Sequence, residues 1–236
     1  MKAFLLAAGH GSRLEALGRE CAKCLVPIGG KPLLALWLEH FRRHGIESVA
    51  VNTHHLAHQV EGFAREWHER PEIELFHEPE LLGTAGTVLF RRSFFDGEEA
   101  FFVIYGDNLT DVDLTAMLAF HRARRSSFTM ALFRTPEPEQ CGIAVLDQEG
   151  RITAFEEKPT APVSNLANGG IYLIDPQILV DFPFRPGLDF GFDVLPHLVG
   201  RMYGWEVDGF LCDIGTPDRL RRAEAQWLRR AQSPQK

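Results

Sequence analysis

Apolar positions along the chain fall into short runs alternating with amphipathic stretches. The first half reads Lys2–Ala7, Pro32–Gly45, Ser48–Asn52, His55–His68, Ile73–Phe76, Thr84–Phe95, Ala100–Tyr105 and Asp113–Arg125. Runs of five or six apolar residues suit strands buried on both faces, and the longer segments carry helical spacing. In 32–45, Leu33, Leu34, Leu36, Trp37, Leu38 and Phe41 form the apolar stripe, Pro32 suits the first turn, and Gly45 is a stop. This βαβ rhythm predicts an α/β fold with a mostly parallel central sheet, whose ligand site lies at the carboxyl ends of the strands. The second half is more mixed. Phe128–Phe133, Gly142–Leu146, Ile152–Glu156 and Gly169–Ile174 read as strands, with a turn at Asp147-Gln148-Glu149-Gly150, and imply a small mixed subdomain on the substrate side. The last helix is expected over 216–231, with Thr216 as its cap and Pro217 at its first position, and 232–236 are expected to fray.

Composition narrows the class without naming a function. A chain of 236 residues, 45% hydrophobic and 24% charged, allows one large α/β domain, and no repeat or linker divides it. A formal charge of -7 with no basic block disfavours nucleic acid. The run Ala3–Ala8 is too short for a signal peptide or membrane span, so a cytoplasmic protein is expected. Cys21, Cys24, Cys141 and Cys212 do not make a secreted disulfide framework and are expected to be reduced.

Chemistry is expected first where the first strand runs into Ala7-Ala8-Gly9-His10-Gly11-Ser12-Arg13-Leu14. Glycines at a strand end let peptide N–H groups turn toward an anion, and Arg13 adds a cation. The segment fails as a dinucleotide fingerprint, since Leu14 takes the third glycine's place, and as a P-loop, since no Gly-Lys-Ser/Thr follows. Other acids and ligands have plainer readings. Cys21-Ala22-Lys23-Cys24 has half a zinc knuckle's spacing but no second pair, His54 and His58 lie four apart on an expected helix, and Asp113 in Asp111-Val112-Asp113 caps the next helix.

Taken in order, the segments Leu6–Leu14, Lys23–Pro32, Leu82–Gly86, Gly106–Asn108, Phe155–Pro159, Asn168–Tyr172 and Cys212–Pro217 resemble the motifs of sugar-1-phosphate nucleotidyltransferases over residues 3 to about 230. The usual prolines around the loop lysine are replaced by Ala22 and Cys24. That resemblance implies a Rossmann-like three-layer fold with a nucleotide-binding half near 1–125 and a sugar-phosphate half near 126–231. It implies that Ala7, Ala8, Gly9, Gly11, Ser12, Gly83, Thr84, Ala85 and Gly86 bind the nucleotide, and that Arg13, Lys23 and Asp107 are catalytic. On the same grounds Gly142, Glu157, Lys158 and Asn168 would hold the sugar phosphate, and Asp107 and Asp213 a Mg²⁺ ion.

The implied reaction joins a nucleoside triphosphate and a sugar 1-phosphate into a nucleotide-sugar and pyrophosphate. Segments 51–57, 81–86 and 193–196 look most like guanylyltransferases for mannose or heptose 1-phosphate, with UTP and an amino-sugar 1-phosphate as the alternative. A glycosyltransferase of similar fold, using Asp111-Val112-Asp113, and a non-catalytic nucleotide-binding subunit are the competing readings. The hexapeptide repeats of a C-terminal acyltransferase domain are missing, so a bifunctional enzyme is not expected, whereas a homo-oligomer is allowed.

Overall fold

A computed structural model describes residues 1–232; of the segment 232–236 expected to fray, Gln232 closes the last helix and 233–236 lie outside the described residues. The elements run β1 (Lys2–Leu6), α1 (Ala16–Glu20), β2 (Pro27–Ile28), β3 (Lys31–Pro32), α2 (Leu33–Arg43), β4 (Ser48–Thr53), α3 (Ala57–Glu66), β5 (Glu72–His77), α4 (Thr84–Phe90) and β6 (Phe101–Tyr105). They continue with β7 (Asn108–Thr110), α5 (Leu114–Arg124), β8 (Phe128–Arg134), β9 (Gly142–Leu146), β10 (Ile152–Glu157), β11 (Leu166–Ile174), β12 (Tyr203–Glu206), β13 (Leu211–Asp213) and α6 (Pro217–Gln232). Among the described residues no helix is long and apolar enough to cross a membrane.

The chain forms two compact units. One comprises Leu5–Pro79, Tyr105–Asp111 and Gly209 onward. Within it β4 and β5 pair in parallel, Ser48 opposite Glu72 through Thr53 opposite His77, as a strand–helix–strand crossover through α3 requires. The stripe expected on α2 is its buried face: Leu33, Leu34, Trp37, Leu38 and Phe41 are almost wholly buried. β7 and β13 pair antiparallel, which sets Asn108 opposite Asp213.

The other unit comprises Met1–Phe4, Glu80–Ile104 and Val112–Asp208. Its strands follow the order β10-β9-β11-β6, with β8 also paired to β11 and β12 to β8. β9 and β10 form the expected hairpin, its turn held by Asp147 Oδ1, which accepts from the N–H groups of Glu149 at 3.0 Å and Arg151 at 2.7 Å. Short connections make β9, β10 and β11 antiparallel, whereas β12 lies parallel to β8 after a long excursion. Phe101, Phe128, Tyr172 and Phe190 fill this core, and Asp113 caps α5 by accepting from Ala116 N at 2.9 Å.

Two local expectations are corrected. β5 alternates between exposed and half-buried positions, because it closes the strand order and has a neighbour on one side only. His54 and His58 do not share a helix: α3 begins at Ala57, and His54 Nδ1 meets the Glu78 carbonyl at 2.7 Å. Leu56, in the left-handed region at φ 54°, delays the helix start.

Candidate active site

In the unit containing Leu5–Pro79 the glycine-containing segment 7–14 leaves β1 at Leu6. Ala7 N donates to Asn52 Oδ1 at 2.6 Å, and Asn52 Nδ2 donates to the buried Glu78 carboxylate at 2.7 Å. The strand end is thus fixed by an amide that a carboxylate in turn orients. Gly11 turns the loop with a left-handed φ of 63°, and Gly18 packs beneath it so closely that a Cβ there would overlap the Gly11 carbonyl. His55 Nε2 lies 3.0 Å from the Gly18 carbonyl. Arg13 is exposed and makes no ion pair among the described residues, so its guanidinium is open to an anion. Asn52→Ala removes the link from the loop to Glu78, and urea denaturation is expected to show a loss of about 1–3 kcal/mol.

Lys23, Asp107 and Asp213 meet in the same unit. Lys23 Nζ pairs with Asp107 and lies 3.8 Å from Asp213 Oδ1, with its side chain 12% exposed against 27% and 30% for the two acids. Asp213 Oδ2 accepts from Arg219 at 2.8 Å, and its Oδ1 accepts from Gly215 N at 2.6 Å. Backbone bonds hold these strand ends together: Gly106 N donates to Leu6 O at 2.9 Å and Ile214 N to Asp107 O at 3.0 Å. A Cβ on Gly106 would lie 2.9 Å from Leu6 O, which explains glycine before the acid.

Two carboxylates aimed at one ammonium place hard oxygen donors around a common point. Mg²⁺ uses such pairs, completing its octahedron with water and substrate phosphate rather than with an all-protein cage. Accordingly the donor set fits a divalent cation that arrives with a phosphate, and no cluster of three or more His, Cys, Asp or Glu is spaced as a cage among the described residues. Cys24 does not offer a thiolate, since burial pushes its thiol up to about 12. Asp111 is engaged structurally, accepting from Phe210 N at 2.6 Å and pairing with Arg230 at 2.6 Å.

The remaining expected residues gather in the other unit. Gly142 faces Glu157 across the β9–β10 hairpin, and a Cβ on Gly142 or Gly191 would strike the Glu157 carboxylate. Burial raises the Glu157 carboxyl above the usual range, with Lys158 opposing that shift and Asp189 adding to it. Lys158 takes a left-handed φ of 52°, a strained conformation for a side-chain-bearing residue that turns it at the end of β10. Asn168 bends β11, its Oδ1 accepting from Gly170 N at 2.9 Å and its Nδ2 donating to Tyr172 Oη at 2.7 Å. Of the segment Gly83–Gly86, Ala85 N and Gly86 N both donate to Leu188 O at 3.0 Å, and Thr84 Oγ1 donates to Asp189 Oδ2 at 2.8 Å. Gly83 has no room for a Cβ against Gly187 and Leu188.

Sequence reading missed Asn52, Glu78, Arg219 and Asp189. For Arg219 a signal existed: it falls in the first turn of α6, six residues after Asp213. Asn52 and Glu78 gave none, because their roles depend on which strand ends become neighbours.

Comparison with known proteins adds independent information. The sequence pattern of the nucleotidyl transferase family matches residues 2–230. The mannose-1-phosphate guanylyltransferase catalytic subunit beta of Danio rerio is 32% identical over all of this chain, which spans 68% of that protein. A UTP–glucose-1-phosphate uridylyltransferase of Synechocystis is 32% identical over 92% of the chain, which spans 61% of its length. A Bacillus anthracis chain assigned as a glucose-1-phosphate thymidylyltransferase, crystallised with sucrose, superposes with a TM-score of 0.83 and 25% identity over 100% of this chain and 98% of its own. The Rossmann-like α/β fold expected from the sequence is therefore the fold observed.

Proposed function

Because the chain belongs to the nucleotidyl transferase family, we propose that it transfers a nucleoside monophosphate from a nucleoside triphosphate to a sugar 1-phosphate, releasing pyrophosphate. The observation that carries this reading is the meeting of Lys23, Asp107, Asp213 and Arg219 in the unit that also holds the Gly9–Arg13 loop. An oxygen of the sugar phosphate attacks the α-phosphorus, a new P–O bond forms, and the bond to the departing pyrophosphate breaks. Such a reaction needs positioning and charge neutralisation more than covalent help. The loop N–H groups and Arg13 receive the triphosphate, and Lys23 and Arg13 offset charge as pyrophosphate departs. A divalent cation held by Asp107 and Asp213 would neutralise phosphate oxygens. Glu157 would accept from sugar hydroxyls, Lys158 would hold the sugar's phosphate, and the segment from Gly83 to Gly86 would meet the base.

The relatives' names favour GTP with mannose 1-phosphate as the first pair to try, and UTP with glucose 1-phosphate as the second. Pyrophosphate release is to be measured with ATP, CTP, GTP, UTP and dTTP, each against hexose, amino-sugar and heptose 1-phosphates, with Mg²⁺ present. Release that requires one triphosphate and one sugar phosphate supports the proposal. Hydrolysis of a finished nucleotide-sugar, or transfer of its sugar, in place of pyrophosphate release would sink it.

Glu157 gives a prediction with a definite sign. Its folded pKa is raised, so just above the ordinary carboxyl pKa of about 4.3 the native chain holds a proton that the unfolded chain has lost. Stability conferred by that proton is present at low pH and is lost as pH rises through the raised value. Glu157→Gln is expected to melt higher than wild type at pH 8 and equally at pH 4. Its KM for the sugar phosphate is expected to rise about tenfold with the loss of a charged acceptor. Equal melting shifts at both pH values would refute the assignment.

A further inference from the structure

Phe192 is a large apolar side chain left 62% exposed, although the neighbouring Phe190 on the same turn is 1% exposed and packs in the core. Both belong to the single π-helical turn Phe190–Val194, a rare conformation found disproportionately at functional sites. The turn is held at several points. Asp189 Oδ1 accepts from Phe192 N at 3.2 Å while its Oδ2 accepts from Thr84 at 2.8 Å. Asp193 accepts from Asp189 N at 2.8 Å and pairs with Arg185 at 2.5 Å. An exposed ring on so constrained a base is presented to something rather than merely left over.

Its neighbours indicate what. Gly191, the residue before it, lies against the Glu157 carboxylate, and Lys158 Nζ stands 5.9 Å from the Phe192 ring centre. That separation is at the outer limit of a cation–π contact, so Lys158 does not use up the ring face. Hence an anion-binding cation, a hydroxyl-accepting carboxylate and an open apolar face converge within one unit. A sugar 1-phosphate has the matching three features: a phosphate, ring hydroxyls, and a face of carbon-bound hydrogens that aromatic rings cover well.

We propose that Phe192 is a sugar-binding residue whose exposed ring packs against carbon-bound hydrogens of the sugar ring of the sugar 1-phosphate. The inference builds on the assignment of Glu157 and Lys158 to the sugar phosphate. Glucose 1-phosphate and mannose 1-phosphate are the probes, in proton NMR of the ligand and in steady-state kinetics. In the wild type, sugar ring protons shift upfield on binding because they lie over the Phe192 ring. Phe192→Leu, which keeps the apolarity and removes the ring current, loses that shift and raises KM for the sugar phosphate about three- to tenfold. KM for the triphosphate does not change, and Phe192→Trp restores the upfield shift. Binding with unshifted protons, or with the same shifts in Phe192→Leu, overturns the role of Phe192 while leaving the Glu157–Lys158 assignment standing. Binding of both sugars that survives Glu157→Gln and Lys158→Ala unchanged overturns that assignment, and the proposal with it.

Discussion

Asp107→Asn is expected to cut the rate of pyrophosphate release by roughly 10²–10³-fold while leaving the fold intact. The substitution keeps the side chain's shape and removes one charge from a cluster in which Lys23 serves both Asp107 and Asp213. A unit charge about 4 Å from another is worth about 1 kcal/mol in water and about 4 at an effective dielectric of 20. The 27% exposure of Asp107 puts it between these limits, and roughly 3–4 kcal/mol corresponds to that loss of rate. Loss of a carboxylate ligand also moves half-saturation to higher Mg²⁺. Turnover against Mg²⁺ concentration, with circular dichroism as the control for folding, checks both. A wild-type rate at saturating Mg²⁺ would remove Asp107 from the catalytic set.

Gly18→Ala is expected to damage the triphosphate site without touching any charged residue. The added methyl would overlap the carbonyl of Gly11, a backbone atom that cannot rotate away, and would also press on Leu14 Cβ at 3.3 Å. Overpacking of this kind costs about 1–3 kcal/mol, and more when the neighbour is rigid. Gly11 is itself committed to its left-handed turn and accepts from Leu14 N at 2.8 Å. Relief therefore has to come from displacement of the loop, which carries Arg13 and the N–H groups proposed to receive the triphosphate. Urea denaturation should show the loss of stability, and KM for the triphosphate should rise more than tenfold with KM for the sugar phosphate little changed. An unchanged triphosphate KM would mean that the loop does not hold the triphosphate.

Much of the fold is legible in the sequence. The stripe on α2, the turn at Asp147–Gly150, the caps at Asp113 and Thr216 and the strand-end Gly106-Asp107 are local features. Hydrophobic period, turn chemistry and capping act over three to five residues, so the linear order contains them. The order of the motifs identified the family because the chemistry of phosphate binding restricts which residue types can stand at those strand ends.

Other features depend on neighbours far apart in the chain. Lys23 reaches Asp107 across 84 positions, and Ala7 reaches Asn52 across 45. Gly18 comes to lie beneath Gly11 only once the chain has folded, and His54 looks like the partner of His58 until α3 starts late. Phe192 is left exposed by the π-turn that buries its neighbour Phe190. The sequence by itself determined the longer strands and helices and which residue types stand at their ends, because those features rest on local periodicity and sterics, whereas short elements such as β7, β12 and β13 carry too little pattern to be read. Only the tertiary structure decided which of those ends share a charge, which glycine supports which carbonyl and which aromatic ring stays open, because each is a through-space contact set by how strands pair and pack.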